Sequence, residues 1–382
     1  MSISDIDIKF MTQAMELAKH GVFTTAPNPS VGCVIVKNNI ILGSGYHVKA
    51  GLPHAEICAM RNSQGCDLHG ATAYVTLEPC SHYGLTPPCA KALVEAGVSR
   101  VVCATLDPNP LVSGNGVKIL REAGVVVDVG VLEKDASELN KAFFYAMRKG
   151  RPYITVKLGM SLDGKVALKS GESKWITSVD SRKDVQKLRA LNQVIMTSAT
   201  TVLLDNPSLN IRYDELPRSM VLDYPRDMVR QPIKVVVDSK NKITGQENIF
   251  KDGGEVWLIK LSPDNNVHEL KFTDKAIVIQ IPESEVENGH IDFEILLAEL
   301  NHRKIRSILV EAGGKFASSL IKNGFVSELI AYVAPKILGA DAKSAFAVDS
   351  IEHLSEVKDM ELSDVKQIGS DIRLTYKLGE NS

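Results

Sequence analysis

The sequence predicts a protein of two α/β domains, on three observations. Strand-like apolar runs alternate with amphipathic helical ones, a helical stretch ends at "RKGRPY" where Gly150 and Pro152 break it, and all six cysteines fall before that break. The division is therefore drawn between residues 1–149 and 150–382. At roughly 100–200 residues per domain, a chain of 382 residues of which 44% are hydrophobic has material for two or three cores.

In chain order, "DIKFMTQAMELAKHG" sets Phe10, Ala14, Leu17 and Ala18 on one helical face and stops at Gly21. "VGCVIVKNNIILGSGYH" is two apolar runs joined at Asn38-Asn39, residues that tolerate positive φ, which predicts a β-hairpin. A helix from about His54, a strand "ATAYVTLEP", a helix "PPCAKALVEAG" ended by Gly97, a strand "SRVVCATLDP" and a helix over about 133–148 follow. Beyond the break, "RPYITVKLGMSLDG", "NQVIMTS", "IKVVVDS", "GEVWLIK", "AIVIQI", "RSILVEAGG" and "SELIAYVAP" read as strands. Helical stretches around 179–191, 291–302 and 315–323 separate several of them, so a second, mainly parallel sheet is expected. The Pro-containing stretches 213–232 and 282–290 read as surface loops, and no internal repeat is seen.

A formal charge of −2 gives no sign of a polyanion-binding surface. With no run of about 18 apolar residues and no charged-then-apolar N-terminal signal, the chain is expected to be soluble and cytoplasmic. Six cysteines are too few for a disulfide scaffold at this length, so their clustering in the first 103 residues suggests chemistry.

A metal that activates water needs about three protein ligands, an open position and a base to move protons. His54 starts a helix, Glu56 lies two residues on, and "TLEPCSHYGLTPPCAKAL" offers Cys80 after a strand and Cys89 at a helix start. Helix N-termini favour thiolates. An isolated H-x-E carries little and an isolated buried cysteine is usually a small core residue, but this ordered set matches the zinc deaminase pattern of H-x-E followed by P-C-x-x-C, with its second half stretched. Cys33, Cys58, Cys66 and Cys103 lack metal spacing.

Together, "APNPSVGCVIV", "HAE", "EPCSHYG-TPPC" and "DPNPLVSGNG", with eight residues between Cys80 and Cys89, resemble the deaminase half of the bifunctional riboflavin-biosynthesis deaminase/reductases. That resemblance implies a cytidine deaminase-like α/β/α fold and zinc-dependent deamination of 2,5-diamino-6-ribosylamino-4(3H)-pyrimidinone 5′-phosphate. It implies His54, Cys80 and Cys89 as zinc ligands, Glu56 as proton shuttle, and Asn28, His47 and His82 as substrate contacts. Leu85 stands where the family usually carries Lys or Arg, so a substrate contact is expected to differ there.

Past residue 150 there is no cysteine, and the four histidines, His268, His290, His302 and His353, are scattered. "SILVEAGGKFASSLIKNG" has the strand, glycine turn, helix order that can cradle a phosphate, although Gly313-Gly314 alone says little. "VKLGMSLDGK", "SGESKWITS", "LRA", "ATTVLLDNPSLNIR", "VVVDS" and "VEAGG" resemble the reductase half of the same family, which implies a dihydrofolate reductase-like α/β fold and NADPH. By that resemblance Ser173, Arg189, Leu209 and Arg212 hold the substrate's ribose phosphate, and Gly159, Trp175, Thr201, Asp205, Ser239, Glu311, Gly313 and Gly314 line the cofactor. Lys157, Asp205 and Glu311 are the polar residues expected to orient the ring-opened ribose or its protons during hydride transfer to 5-amino-6-(5-phosphoribosylamino)uracil.

Two other readings are weaker. A nucleic-acid base deaminase needs a basic surface, against the near-neutral charge, and a non-catalytic nucleotide sensor leaves the complete His54, Glu56, Cys80, Cys89 set unexplained. The resemblance also suggests a homo-oligomer, with "SELIAYVAPKIL" either its interface or an ordinary buried strand.

Overall fold

The structure, a computed structural model, describes residues 3–81, 87–109, 113–285, 289–347, 352, 353, 355, 357 and 359–379. The chain forms two compact units, Met1–Arg151 with Leu222–Met228, and Pro152–Val221 with Val229–Ser382.

The first unit runs α1 (Asp5–Lys19), β1 (Gly32–Lys37), β2 (Ile40–Tyr46), α2 (Ala55–Arg61), β3 (Thr72–Val75), α3 (Cys89–Glu95), β4 (Arg100–Cys103), α4 (Asn115–Glu122), β5 (Val126–Val129), α5 (Glu133–Leu139) and α6 (Lys141–Lys149). Its sheet has the order β2-β1-β3-β4-β5, with β1 antiparallel to both neighbours and β3, β4 and β5 parallel. Side chains alternate across it as the strand period requires. Cys33, Ile35, Ala73, Val75, Val101 and Cys103 face a core with Ala59, Leu93 and Leu120 of α2, α3 and α4; Val34, Val36, Tyr74 and Val102 face Phe10, Ala14 and Ala136 of α1 and α5. The result is three layers, helix, sheet, helix.

Local signals explain the elements. Ser4 and Asp7 form a capping box that starts α1. Asn38 and Asn39 both take positive φ at the β1–β2 turn, and Gly97 (φ 74°) follows the end of α3. The single helix expected over 133–148 is two. Asn140, at φ −111°, turns away from helical geometry and its side chain accepts from the Ser30 amide and donates to the Ser30 carbonyl.

The expected surface loop at 213–232 is corrected in part. Met220 and Tyr224 are buried, Tyr224 stacks on Phe23 at 5.1 Å, and Asp223 Oδ1 lies 2.5 Å from His20 Nδ1, which is why 222–228 belongs to the first core.

The second unit contains β6 (Tyr153–Ser161), β7 (Lys165–Ala167), α7 (Val179–Leu191), β8 (Val194–Ser198), α8 (Ala199–Asp205), α9 (Arg218–Val221), β9 (Ile233–Val237), β10 (Val256–Leu261), β11 (His268–Thr273), β12 (Ala276–Ile281), α10 (Phe293–His302), β13 (Ser307–Val310), α11 (Gly314–Lys322), β14 (Glu328–Ala334), β15 (Lys343–Ser344), β16 (Met360–Ile368) and β17 (Asp371–Leu378). Its large sheet has the order β11-β12-β10-β9-β8-β13-β6-β14-β17-β16. From β12 to β14 the neighbours are all parallel; β11, β17 and β16 extend the sheet antiparallel. The strand order reverses around β6, β13 and β8, where an open α/β sheet leaves a crevice at its carboxyl edge. Ile154, Val156, Val194, Val310 and Leu296 lie in the main core.

"SELIAYVAPKIL" proves to be an internal strand rather than a free surface. β14 pairs with β6 and β17, and Leu329 to Tyr332 are buried, which leaves only Ile337 of its large apolar residues exposed. Among the described residues no helix is long and apolar enough to cross a membrane.

Candidate active sites

In the first unit the strand-to-helix junctions bring three sequence-distant groups together. His54 is the residue before α2, Cys89 opens α3, and Cys80 lies beyond β3. His54 Nδ1 is 3.6 Å from Cys80 Sγ and 3.4 Å from Cys89 Sγ, and all three ligand atoms lie within 4.8 Å of one another. Tetrahedral zinc with N and S bonds of about 2.0–2.3 Å separates its ligand atoms by about 3.6 Å. The donor set therefore fits zinc in both spacing and softness. The Cys89 amide donates to Cys80 Sγ at 3.2 Å. The Cys80 thiol is pulled below its ordinary range, chiefly because the Cys89 thiol donates to it, while Cys89, as that donor, is pushed up.

Glu56 is buried, on the first turn of α2, and its carboxyl is raised to about 7, first by burial and then by the charge of Cys80. A carboxyl held there can both take and give a proton near neutral pH.

His47 and Asn28 adjoin the triad. The His47 ring packs edge-on to His54 with centroids 5.4 Å apart, and burial lowers its basicity. His47 Nδ1 is 3.1 Å from the Pro53 carbonyl, which can only accept, so Nδ1 carries the proton and Nε2 accepts from Asn28 Nδ2 at 3.3 Å. Asn28 is exposed, so this chain of contacts leads from solvent to the triad. His82 and Leu85 lie outside the described residues.

One residue not singled out from the sequence organises this site. Glu78, buried two residues before Cys80, accepts the amides of Asp107, Gly114, Gly116 and Val117 at 2.8–3.2 Å. It ties the cysteine-bearing turn to the start of α4, where a Cβ on Gly116 would meet the Pro79 carbonyl at 2.0 Å. The acid in "TLEPC" was the available signal, but its four partners lie 29 to 39 residues on.

In the second unit the predicted residues fall into three places. Glu311, after β13, makes a bidentate pair with Arg189 of α7 (2.6 and 3.1 Å), and Arg189 Nη1 donates to the Asn210 carbonyl at 2.7 Å. Both side chains are nearly buried, so Arg189 is not a solvated charge, and Glu311 with the Asn210 carbonyl takes three of its five N–H groups. Lys157 of β6 lies in the field of both. Burial lowers its ammonium, with Glu311 opposing and Arg189 reinforcing the shift, and Glu311 itself is held low by Arg189 against the cost of burial. A Cβ on Gly159 would meet Thr177 at 3.1 Å and the Lys157 ammonium at 3.8 Å, so this glycine keeps the strand open beside the lysine.

The second place is the start of α11. The Gly313 amide donates to Thr201 Oγ1 at 3.3 Å, and a Cβ on Gly313 would meet nothing, so that backbone is open to a ligand. Gly314 is needed for another reason: its Cβ would lie 2.5 Å from the Ala345 carbonyl. Asp205 ends α8 and its carbonyl accepts from Lys174 at 3.2 Å, while half-buried Ser239 follows β9 at the same carboxyl edge. Leu209 has its side chain in a core with Ile195 and Val202, which leaves only its backbone, at φ 53°, to a ligand.

The third place is a cavity of about 410 Å³ lined by Trp175, Val179, Arg182, Lys183, Arg212 and Glu215. Ser173, half-buried, lies two residues before Trp175. Of the predicted substrate-phosphate residues, Arg189 lies in a buried ion pair with Glu311 and Arg212, on the cavity wall, adds its positive charge to the field at the same Glu311.

Comparison with known proteins follows the same division. A family model described as the RibD C-terminal domain matches residues 152–374, and one described as the cytidine and deoxycytidylate deaminase zinc-binding region matches 4–105. The riboflavin biosynthesis protein RibD of Escherichia coli (strain K12) is 46% identical over 368 residues, 96% of this chain and 98% of that one. The structure of Acinetobacter baumannii RibD, form 1, superposes with a TM-score of 0.86 at 39% identity, covering 98% of this chain and 99% of that one. A Thermotoga maritima diaminohydroxyphosphoribosylaminopyrimidine deaminase/5-amino-6-(5-phosphoribosylamino)uracil reductase superposes at 0.83 with 33% identity, over 98% and 99% of the two chains.

Proposed function

The chain belongs to the RibD family of bifunctional riboflavin-biosynthesis deaminase/reductases, and from that premise we propose roles for its residues. The enzyme uses zinc to deaminate 2,5-diamino-6-ribosylamino-4(3H)-pyrimidinone 5′-phosphate and NADPH to reduce the ribosyl group of 5-amino-6-(5-phosphoribosylamino)uracil. Residues 1–149 carry the first activity and 150–382 the second, with 222–228 completing the first core.

The convergence of His54 Nδ1, Cys80 Sγ and Cys89 Sγ beside buried Glu56 carries the assignment of the deaminase site. Zinc held by those three atoms supplies a Lewis acid that makes water nucleophilic at neutral pH. Glu56 would relay both protons of the attacking water, the first to the ring nitrogen and the second to the departing amine. His47 and Asn28 orient the pyrimidine, since the Asn28 amide, fixed by His47 Nε2, presents its carbonyl oxygen outward as an acceptor. His82 is assigned to the substrate by resemblance alone.

In the second unit NADPH supplies the hydride. Thr201, whose hydroxyl accepts from the Gly313 amide, and the open backbone at Gly313 line the cofactor, with Trp175, Asp205, Ser239, Gly159 and Gly314 around it. Lys157 donates the proton that completes the reduction; the buried Arg189–Glu311 pair sets its field and ties α7 to the end of β13.

The test is Glu56→Ala. Ammonia release should fall by at least the ~10²–10⁴-fold attributed to general acid–base catalysis, with zinc content unchanged. Wild-type ammonia release in that variant would remove Glu56 from the reaction.

We also assign the enzyme to the cytoplasm and to a homo-oligomer. All six cysteines are free. Every residue of edge strand β16 but the half-buried Ile368 is exposed, and its register shift between Leu362 and Asp364 keeps Met360, Leu362 and Val365 on one face with exposed Ile372 of β17. An apolar stripe on an open edge is suited to a second copy of the same chain. Leu362→Lys should lower the mass measured by light scattering while leaving the fold intact; an unchanged mass would place the interface elsewhere.

A further inference from the structure

We propose that Asp223 and Tyr224, although they lie in the sequence of the second half, are positioning residues of the deaminase site that hold Asn28 and His47 in place for the pyrimidine. The inference rests on the reading of the first unit as a zinc deaminase in which those two residues orient the substrate.

The segment 222–228 is an excursion of the chain. The residues on either side, up to Val221 and from Val229, belong to the second unit, while 222–228 belongs to the first. The base of the excursion is closed by Gln231, whose Oε1 accepts from the Ile211 amide at 2.8 Å and whose Nε2 donates to the Ile211 carbonyl at 3.0 Å. Its tip is turned by the Met228 amide, which donates to the Pro225 carbonyl at 2.9 Å. A segment with its ends already closed gives up less conformational freedom on docking than an open one.

Two lines of contact run from the tip to the substrate residues. Asp223 Oδ1 lies 2.5 Å from His20 Nδ1, and the His20 ring packs on that of Tyr46 with centroids 5.4 Å apart. Tyr46 ends β2 and is the residue before His47. Tyr224, fully buried, stacks on Phe23 with ring planes 28° apart. Phe23 leads into the turn that carries Asn28. There the Thr24 hydroxyl donates to the Val48 carbonyl at 2.5 Å, the Thr24 carbonyl accepts from the Ala50 amide at 3.4 Å, and the Asn28 amide donates to the Thr25 carbonyl at 2.9 Å. The two lines meet where Asn28 Nδ2 donates to His47 Nε2 at 3.3 Å.

Residues 20–31 form neither helix nor strand, so their geometry depends on such contacts. The reacting groups are held differently, His54 and Glu56 at the start of α2 and Cys89 at the start of α3. Loosening 20–31 therefore disturbs the orientation of the substrate and leaves the zinc donors in place. An orienting contact made equally in the ground state and the transition state is read in KM rather than kcat.

Asp223 is the position to test, because its side chain is 35% exposed and its truncation opens no cavity in the core. In the full-length zinc enzyme, Asp223→Ala should raise KM for the deaminase substrate by about three- to tenfold, the worth of one hydrogen bond, with kcat and zinc content close to wild type. Asp223→Asn, whose amide oxygen still accepts from His20 Nδ1, should recover part of the loss. His20→Ala should raise KM in the same way, and combining it with Asp223→Ala should add little, since both act through one contact. Hydrogen exchange of the 20–30 amides should quicken in Asp223→Ala while that of α2 and α3 does not. Tyr224→Phe, which keeps the ring on Phe23, should stay closer to wild type than Tyr224→Ala, and if Tyr224→Ala does not fold the Asp223 and His20 variants decide. Oxidation of NADPH with the deaminated intermediate supplied should be unchanged in Asp223→Ala. A wild-type KM in that variant, or a loss carried by kcat and zinc content instead, overturns the proposal. Failure of the wild type to release ammonia would overturn the deaminase reading itself, independently of Asp223.

Discussion

At the scale of single residues, the difference between sulfur and oxygen as ligands makes the metal site testable. A serine hydroxyl stays protonated near neutral pH and is a far poorer zinc ligand than a thiolate. Cys89→Ser should therefore lose most of the zinc, with about one equivalent per wild-type chain, by elemental analysis; full occupancy in the variant would exclude Cys89 as a ligand. The metal triad was legible in the sequence because each member stands at an element boundary that local signals mark. Arg189 and Glu311 were not legible as a pair, because they are 122 residues apart and nothing local tells a buried ion pair from a solvated helix arginine. The same holds for Glu78, whose partners are backbone amides and leave no mark in the residue types that bear them.

At the scale of elements, α1 is fastened to the sheet through Asp7. Its carboxylate accepts from Ser4 within the helix cap, from Tyr74 of β3 at 3.0 Å, and from Arg100 of β4 at 2.6 and 3.1 Å, and Arg100 also pairs with Asp128 of β5. Arg100, first among these, drives the Asp7 carboxyl well below its ordinary 3.8. A depressed folded-state value means that the stabilisation is complete above the unfolded value, near 3.8, and fades as the pH falls towards the folded one. Asp7→Asn should lower the stability of the first unit by about 1–3 kcal/mol, since Arg100 is partly exposed and keeps Asp128 as a partner. In circular-dichroism melts the gap between wild type and variant should hold from pH 7 down to about 4 and narrow below it. A gap that widened on acidification would contradict the assignment. Elements with periodic patterns and marked ends, such as α7 and the Asn38-Asn39 hairpin, were readable from sequence. The division of α5 from α6 was not, because it depends on Asn140 pairing with the Ser30 backbone, and the hairpin β16–β17 was missed because neither face of β16 is buried enough to alternate in polarity.

At the scale of the whole molecule, two cores and two sets of reactive residues share one chain, but the cores do not follow one cut in the sequence. Tyr224 fills the first core from within the second half, and a loop of polar and proline residues around it hid this from composition. Severing the chain after Arg151 would remove Tyr224 from Phe23 and leave an apolar cavity, a change that costs about 3–5 kcal/mol for a large aromatic side chain. Independence of the two activities is therefore better examined with point variants than with fragments. Glu56 lies in the first unit and Asp205 in the second, and each variant keeps both cores whole. Glu56→Ala should stop ammonia release and leave NADPH oxidation at the wild-type rate when the deaminated intermediate is supplied. Asp205→Ala, at the end of α8 beside the Thr201–Gly313 contact, should raise KM for NADPH or slow its oxidation while ammonia release from the first substrate continues. Both assays are run on both variants, ammonia release and loss of nicotinamide absorbance. Loss of both activities in Glu56→Ala, with the intermediate supplied, would mean that the units share a site or fold as one, and the division of labour proposed here would fail.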